Sequence, residues 1–143
     1  VLKETKIEEL NLRANKLGPE GGAALAEVLK GNSTLQSLSL TGNKLCGVST
    51  NGSGEHTTEG ITVLCEGLKG SAVTSLNLGS NYLTNYGRDM SVLLKLVEIL
   101  PQTKIESLGL ADNNIGHEGA SALAAVLKET KIEKLNVGFN GIT

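Results

Sequence analysis

The run Leu10-Asn11-Leu12-Arg13-Ala14-Asn15-Lys16-Leu17 decides the fold, because its frame recurs four more times in this chain of 143 residues. Each copy has two aliphatic residues two positions apart, an asparagine three positions after the second, and another aliphatic residue two positions after the asparagine. Alternating aliphatic residues lie on one face of a short strand, so each copy predicts a strand followed by a turn. The other copies are Leu38 to Leu45, Leu76 to Leu83, Leu108 to Ile115 and Leu135 to Ile142.

The copies are unevenly spaced. An aliphatic residue precedes each strand, at positions 7, 35, 73, 105 and 132, so successive intervals are 28, 38, 32 and 27 residues. We expect one domain, 1–143, with about 4.5 repeats and two insertions, at 46–58 and 84–91. Because residues 1–8 recur letter for letter as residues 126–133, we also expect the chain to be part of a longer protein.

The second half of each repeat has helical spacing. Leu25 and Leu29 lie four positions apart among alanines, as do Leu123 and Leu127. Strand, helix and parallel strand form a right-handed crossover, which predicts an α/β solenoid with strands on one side and helices on the other. A glutamate near each of three helix starts is favourable there because of the helix dipole; these are Glu20, Glu59 and Glu118.

The recurring asparagines are predicted to be structural. A side-chain amide both donates and accepts hydrogen bonds, so it can satisfy backbone groups where the chain leaves a strand. Stacking the repeats predicts an asparagine ladder, made of Asn15, Asn43, Asn81, Asn113 and Asn140.

These features resemble the leucine-rich repeat family, and the long repeat with a full helix resembles its ribonuclease-inhibitor-like subtype. The resemblance implies a horseshoe arc with strands on the concave side and helices on the convex side. It also implies binding to another protein, so we expect a protein-protein interaction module without catalytic activity. Two alternatives stay open: a GTPase-activating protein of this repeat type, and the ligand-sensing region of a NOD-like receptor-type protein.

Composition excludes several other functions. The net charge of −2 gives no basic field for nucleic acid, and the longest apolar stretch, residues 92–100, is too short and too charged to span a bilayer. The expected partner is therefore a protein of unknown identity, with no nucleic acid and no membrane, and we expect a cytoplasmic location. The oligomeric state is not predicted, although a monomer is compatible with the pattern.

No catalytic, cofactor or metal site is predicted. The chain has no Gly-rich phosphate loop placed between strand and helix and no carboxylate cluster. His56 and His117 have no second ligand at metal spacing, so both are expected to be solvated loop residues. Cys46 and Cys65 flank the first insertion, and a disulfide between them is left open.

The candidate binding residues lie mainly in the insertions. Loops on a rigid scaffold are favoured recognition sites, and Tyr82, Tyr86 and Arg88 are the best anchors by residue type, with Asp89, Glu55 and His56 beside them. The solvent side of the strands carries small residues, with Arg13 alone at one margin, so we expect either that repeats beyond this chain bind most of the partner or that this face is a passive spacer. Glycosylation patterns begin at Asn32 and Asn51, which matters only for a secreted protein.

Overall fold

The computed structural model describes residues 6–48 and 54–142. Short strands and helices alternate along the chain, and 3₁₀ turns at Leu100–Gln102 and Leu127–Glu129 extend the last two helices. This alternation is that of an α/β repeat fold, as the sequence predicts. The elements are β1 (Glu9–Asn11), α1 (Gly18–Gly31), β2 (Ser37–Ser39), α2 (Glu59–Leu68), β3 (Ser75–Asn77), α3 (Ser91–Ile99), β4 (Ser107–Gly109), α4 (Gly116–Val126) and β5 (Lys134–Asn136).

All five strands form one parallel sheet in the order β1-β2-β3-β4-β5. The register pairs the first leucine of each frame with that of the next, from Leu10 through Leu38, Leu76 and Leu108 to Leu135. Each residue of the frame therefore lies beside its equivalents in the neighbouring repeats. Residues at the same frame position form a row across the sheet.

The core lies between the sheet and the helices. Leu40, Leu45 and Leu83 of the frames are 0% exposed, and Leu64 and Leu93 meet them from α2 and α3 with the same exposure. Burying one such side chain contributes about 1.5–3 kcal/mol. The end strands are less covered, since their frame aliphatics Leu10, Leu12, Leu135 and Val137 are only partly buried.

Helices α1 and α2 pack most closely, through glycines. A Cβ atom at Gly60 would lie 2.1 Å from the backbone oxygen of Pro19, and one at Gly67 would lie 3.0 Å from the oxygen of Ala26. Only glycine permits this approach. The first insertion leads directly into α2, so this packing also positions the insertion.

The predicted acidic residues lie in the first turns of their helices: Glu20 in α1, Glu59 in α2 and Glu118 in α4. The stretch 92–100 forms most of α3 and the start of its 3₁₀ extension. Within residues 6–48 and 54–142, every helix is too short or too polar to cross a bilayer.

Candidate functional site

The frame asparagines connect neighbouring repeats. In Asn43, Oδ1 accepts hydrogen bonds from the N–H groups of Asn15 (2.9 Å) and Leu17 (3.4 Å), while Nδ2 donates to the carbonyls of Leu12 (2.8 Å) and Leu40 (3.0 Å). One side chain thus satisfies backbone groups of two repeats. Asn81, Asn113 and Asn140 make the equivalent bonds. These asparagines hold the turns from which both insertions leave.

A second recurring polar position was not recognised in the sequence. It lies where each helix returns to the sheet, where a side-chain oxygen accepts a hydrogen bond from the N–H of the aliphatic residue that leads into the next strand. In Thr103, for example, Oγ1 donates to the carbonyl of Leu100 (2.8 Å) and accepts from the N–H of Ile105 (3.3 Å). The position is occupied by Asn32, Ser71, Thr103 and Thr130.

Asn32 is used inside its own turn, which bears on the glycosylation pattern. Its side-chain oxygen accepts hydrogen bonds from the N–H groups of Thr34 (2.8 Å) and Leu35 (2.7 Å), and the residue is 8% exposed. The folded chain therefore does not present this amide to solvent. The second pattern begins at Asn51, which lies outside the described residues.

The solvent side of the sheet holds small residues because its own side chains occupy the space. A Cβ atom at Gly109 would lie 2.8 Å from Cγ of Asn77, whose Oδ1 accepts a hydrogen bond from the N–H of Gly79 (2.9 Å). A shallow depression of about 340 Å³ extends from there across β4 to β5. Arg13 is exposed on the turn after β1, two repeats away from the tyrosines.

The second insertion is anchored at its base by Thr84, which is fully buried. Its hydroxyl lies 2.9 Å from the carbonyl oxygens of both Asn113 and Asn114, and it accepts a hydrogen bond from the N–H of Gly87 (3.0 Å). The backbone N–H of Asp89 bonds to the carbonyl of Thr84 (2.9 Å). These bonds fix the loop against the next repeat.

Aromatic residues in this loop have an unusual backbone. Tyr82, Asn85 and Tyr86 have φ values of 53°, 49° and 60°, in the left-handed region that residues other than glycine rarely adopt. Such residues cost about 1 kcal/mol each and persist only where surrounding contacts hold them. The rings of Tyr82 and Tyr86 lie 5.2 Å apart, and Cζ of Arg88 lies 6.0 Å from the centre of the Tyr86 ring.

The two insertions meet through a histidine and an aspartate. Nδ1 of His56, in the first insertion, lies 4.0 Å from Oδ2 of Asp89, in the second. Hydrogen bonds from the side chain and backbone of Ser91 lower the pKa of Asp89, and the nearby His56 lowers it further. We call the surface formed by His56, Tyr82, Tyr86, Arg88 and Asp89 the inserted edge.

The prediction that His56 is solvated is wrong. Its side chain is 12% exposed, and Nε2 is buried without a hydrogen-bond partner among residues 6–48 and 54–142. The imidazole faces the second insertion at Nδ1, which lies 4.0 Å from Oδ2 of Asp89. His117, in contrast, is exposed as predicted, but it lies in the first turn of α4 and not in a loop. Glu55 in the first insertion is exposed as well.

The cysteines do not pair, which answers the question of a disulfide. Cys46 and Cys65 are both free and buried. Burial raises the pKa of each thiol to about 12, so neither supplies a thiolate nucleophile. No group of three His, Cys, Asp or Glu residues in the described parts of the chain is arranged to hold a metal ion.

Comparison with known families supports the repeat assignment. A sequence model described as Leucine Rich repeat matches residues 3–26, 31–45 and 102–124. These ranges contain the first, second and fourth copies of the frame and leave out residues 46–101, where both insertions lie. The matches support a leucine-rich repeat protein. No curated protein matches the chain.

Proposed function

We propose that this leucine-rich repeat protein is a binding module without catalytic activity, and that it holds a protein partner at the inserted edge. Leucine-rich repeats commonly mediate protein–protein interactions. The observation that carries the choice of surface is the pair Tyr86 and Arg88, which are exposed side by side on a loop with a strained, hydrogen-bonded backbone.

Residue type and rigidity both favour this surface. Tyrosine and arginine are enriched among the residues that contribute most to binding between proteins. The bonds of Thr84 and the contact between the tyrosine rings order the loop before a partner arrives, so less conformational entropy is lost on binding. The strand face carries no comparable group of exposed aromatic and arginine side chains in the described residues.

The finer architecture is part of the proposal. We expect a right-handed solenoid curved into a horseshoe arc, of the ribonuclease-inhibitor-like subtype. The near-regular intervals of 28 and 27 residues support this subtype, as does a helix between each pair of strands. We also propose a cytoplasmic location, which is compatible with two free thiols.

Amide hydrogen exchange tests the proposed surface. A partner is first captured with the full chain and purified. An excess of the partner is then added to the chain, and exchange is measured on the chain. The proposal predicts added protection in residues 82–91 and around His56, with little change in α4. Added protection confined to the strands or to the helices would contradict it.

A further inference from the structure

We infer that the partner presents an acidic segment to a row of cations that adjoins the inserted edge. This inference rests on the proposed function and names the chemistry of the partner at that surface. The row starts with Lys16 and Lys44, which occupy the same frame position in successive repeats. Tyr82 occupies that position in the third repeat and connects the lysines to Arg88.

Backbone hydrogen bonds place the members of the row side by side. Asn15 and Leu17, which flank Lys16, both donate to the side chain of Asn43, the residue before Lys44. In the next repeat, Asn43 and Leu45 donate to Asn81, the residue before Tyr82, in the same way. Neighbouring turns are therefore separated by about 4.8 Å, the spacing of adjacent strands.

The backbone conformation is also the same at each position. The φ values of Lys16, Lys44 and Tyr82 are 54°, 56° and 53°. Equal backbone geometry in equivalent turns makes these side chains leave the fold in the same direction. The result is a line of two lysines that ends at the paired tyrosines and Arg88.

The cations of this surface have no acidic partner within the described residues. Lys30, Lys69 and Lys95 each form an ion pair with a glutamate, whereas Lys16, Lys44 and Arg88 form none. Their charges are therefore available to a bound molecule.

Among the acidic side chains of the surrounding repeats, Asp112 and Asp89 are engaged in hydrogen bonds of their own. Asp112 accepts a hydrogen bond from the hydroxyl of Ser80 (3.0 Å), two frame positions before the row. Asp89 accepts one from the N–H of Ser91 (2.9 Å) and faces His56. Glu20 is in the first turn of α1, and Glu55 is exposed in the first insertion.

An extended peptide with carboxylates fits this arrangement. Its alternate side chains are about 7 Å apart on one face, within reach of flexible lysines in neighbouring turns. The Arg88 guanidinium can bind a carboxylate through two parallel hydrogen bonds, and the tyrosine rings offer apolar contact beside it. A phosphate backbone is the other polyanion to test against this surface.

Fluorescence anisotropy with a defined probe tests the inference. The probe is a fluorescein-labelled peptide in which glutamate alternates with glycine, and its matched control has glutamine in place of glutamate. We expect the glutamate peptide to bind and the glutamine peptide not to bind. The affinity of the glutamate peptide should fall as ionic strength rises from about 0.01 M to about 0.15 M. Equal binding of both peptides, or no binding of either, would overturn the inference.

Matched variants locate the binding. Lys16→Gln combined with Lys44→Gln should lower the affinity for the glutamate peptide about fivefold. Lys104→Gln combined with Lys131→Gln, at exposed positions away from the row, should leave that affinity unchanged. Equal losses of affinity in the two double variants would show that only the net charge of the chain matters, and would overturn the assignment of the site to Lys16 and Lys44. Tighter binding of a single-stranded oligonucleotide of equal charge would also overturn it.

The captured partner separates this inference from the function on which it rests. If Tyr86→Ser combined with Arg88→Gln loses the partner and the Lys16 and Lys44 variant keeps it, the binding function stands and the acidic segment is wrong. If both double variants keep the partner, the proposed surface itself is wrong. Loss in both supports the inference.

Discussion

His56 Nδ1 lies 4.0 Å from Asp89 Oδ2, and this pair joins two insertions that belong to successive repeats. Neither residue is part of the repeating frame. The first insertion is closed at its base by a bond from the N–H of Thr57 to the carbonyl of Cys46, and the second is held against the next repeat by Thr84. The His56–Asp89 pair adds a contact between the two insertions. The two insertions therefore form one surface.

The carboxylate of Asp89 predicts a pH dependence, because hydrogen bonds from Ser91, and to a smaller extent the nearby His56, lower its pKa. Because the pKa of Asp89 in the fold is lowered from its usual 3.8, its carboxylate stabilises the protein fully above that pH, and the contribution is lost as pH falls through the lowered value. Asp89→Asn should therefore reduce the free energy of unfolding at neutral pH, and the deficit should shrink in acid. Urea unfolding at several pH values measures this. Glu55→Gln is the control, and a deficit that grows in acid would refute the prediction.

The buried asparagines are predicted to differ from the exposed one. Asn81→Ala leaves the buried N–H groups of Asn43 and Leu45 without their acceptor, while the carbonyl of Leu40 keeps its bond from the Asn43 side chain, so we expect a loss of about 2–3 kcal/mol in the free energy of unfolding. Asn15→Ala removes two bonds at an exposed position and should cost less than about 1 kcal/mol. Chemical denaturation compares them. Equal losses would show that the links between repeats do not determine stability.

Glycine at position 60, where α1 and α2 meet, is predicted to be required for full stability. Gly60→Ala would place a Cβ atom 2.1 Å from a backbone oxygen, which cannot move as a side chain can, so we expect a loss of about 1–3 kcal/mol. Gly70→Ala is the matched control, because a Cβ atom there meets nothing within 4 Å. Thermal unfolding followed by circular dichroism separates the two. A Gly60 variant as stable as the Gly70 variant would contradict this packing.

The cysteines are predicted to be unreactive in the folded protein. Both are buried, and burial raises the pKa of each thiol to about 12, so the reactive thiolate is scarce. Iodoacetamide at about pH 8 should modify neither thiol in the native chain and both in urea, as measured by intact mass. Rapid modification of the native chain, or a disulfide in the purified protein, would be inconsistent with the structure.

The repeat frame could be predicted from the sequence because each of its positions has one dominant residue type. Leucine and asparagine recur at fixed spacing, and the register of Leu38, Leu76 and Leu108 follows directly. The helix-return position could not be recognised in this way, since Asn32, Ser71 and Thr103 share a short polar side chain and no letter. Its signal was the place of these residues, two or three positions before the leading aliphatic residue.

The inserted edge was predictable only by residue type. The sequence indicates Tyr82, Tyr86 and Arg88 as anchors, and the structure brings them together through ring contacts and left-handed backbone. His56 is mostly buried and lies beside Asp89 of the other insertion, and no periodic pattern describes that contact. Residues outside a repeat have no equivalent elsewhere in the chain from which their environment can be inferred.

The affinity of a purified partner for edge variants tests the central claim most directly. Tyr86→Ser combined with Arg88→Gln should weaken binding by at least about tenfold in isothermal titration, because both side chains belong to the types that dominate interfaces. The matched control is Phe139→Ser combined with Lys131→Gln, which removes one exposed aromatic ring and one exposed cation away from the edge and should bind as the parent does. Unchanged affinity in the edge variant, with its circular dichroism spectrum intact, would contradict the account.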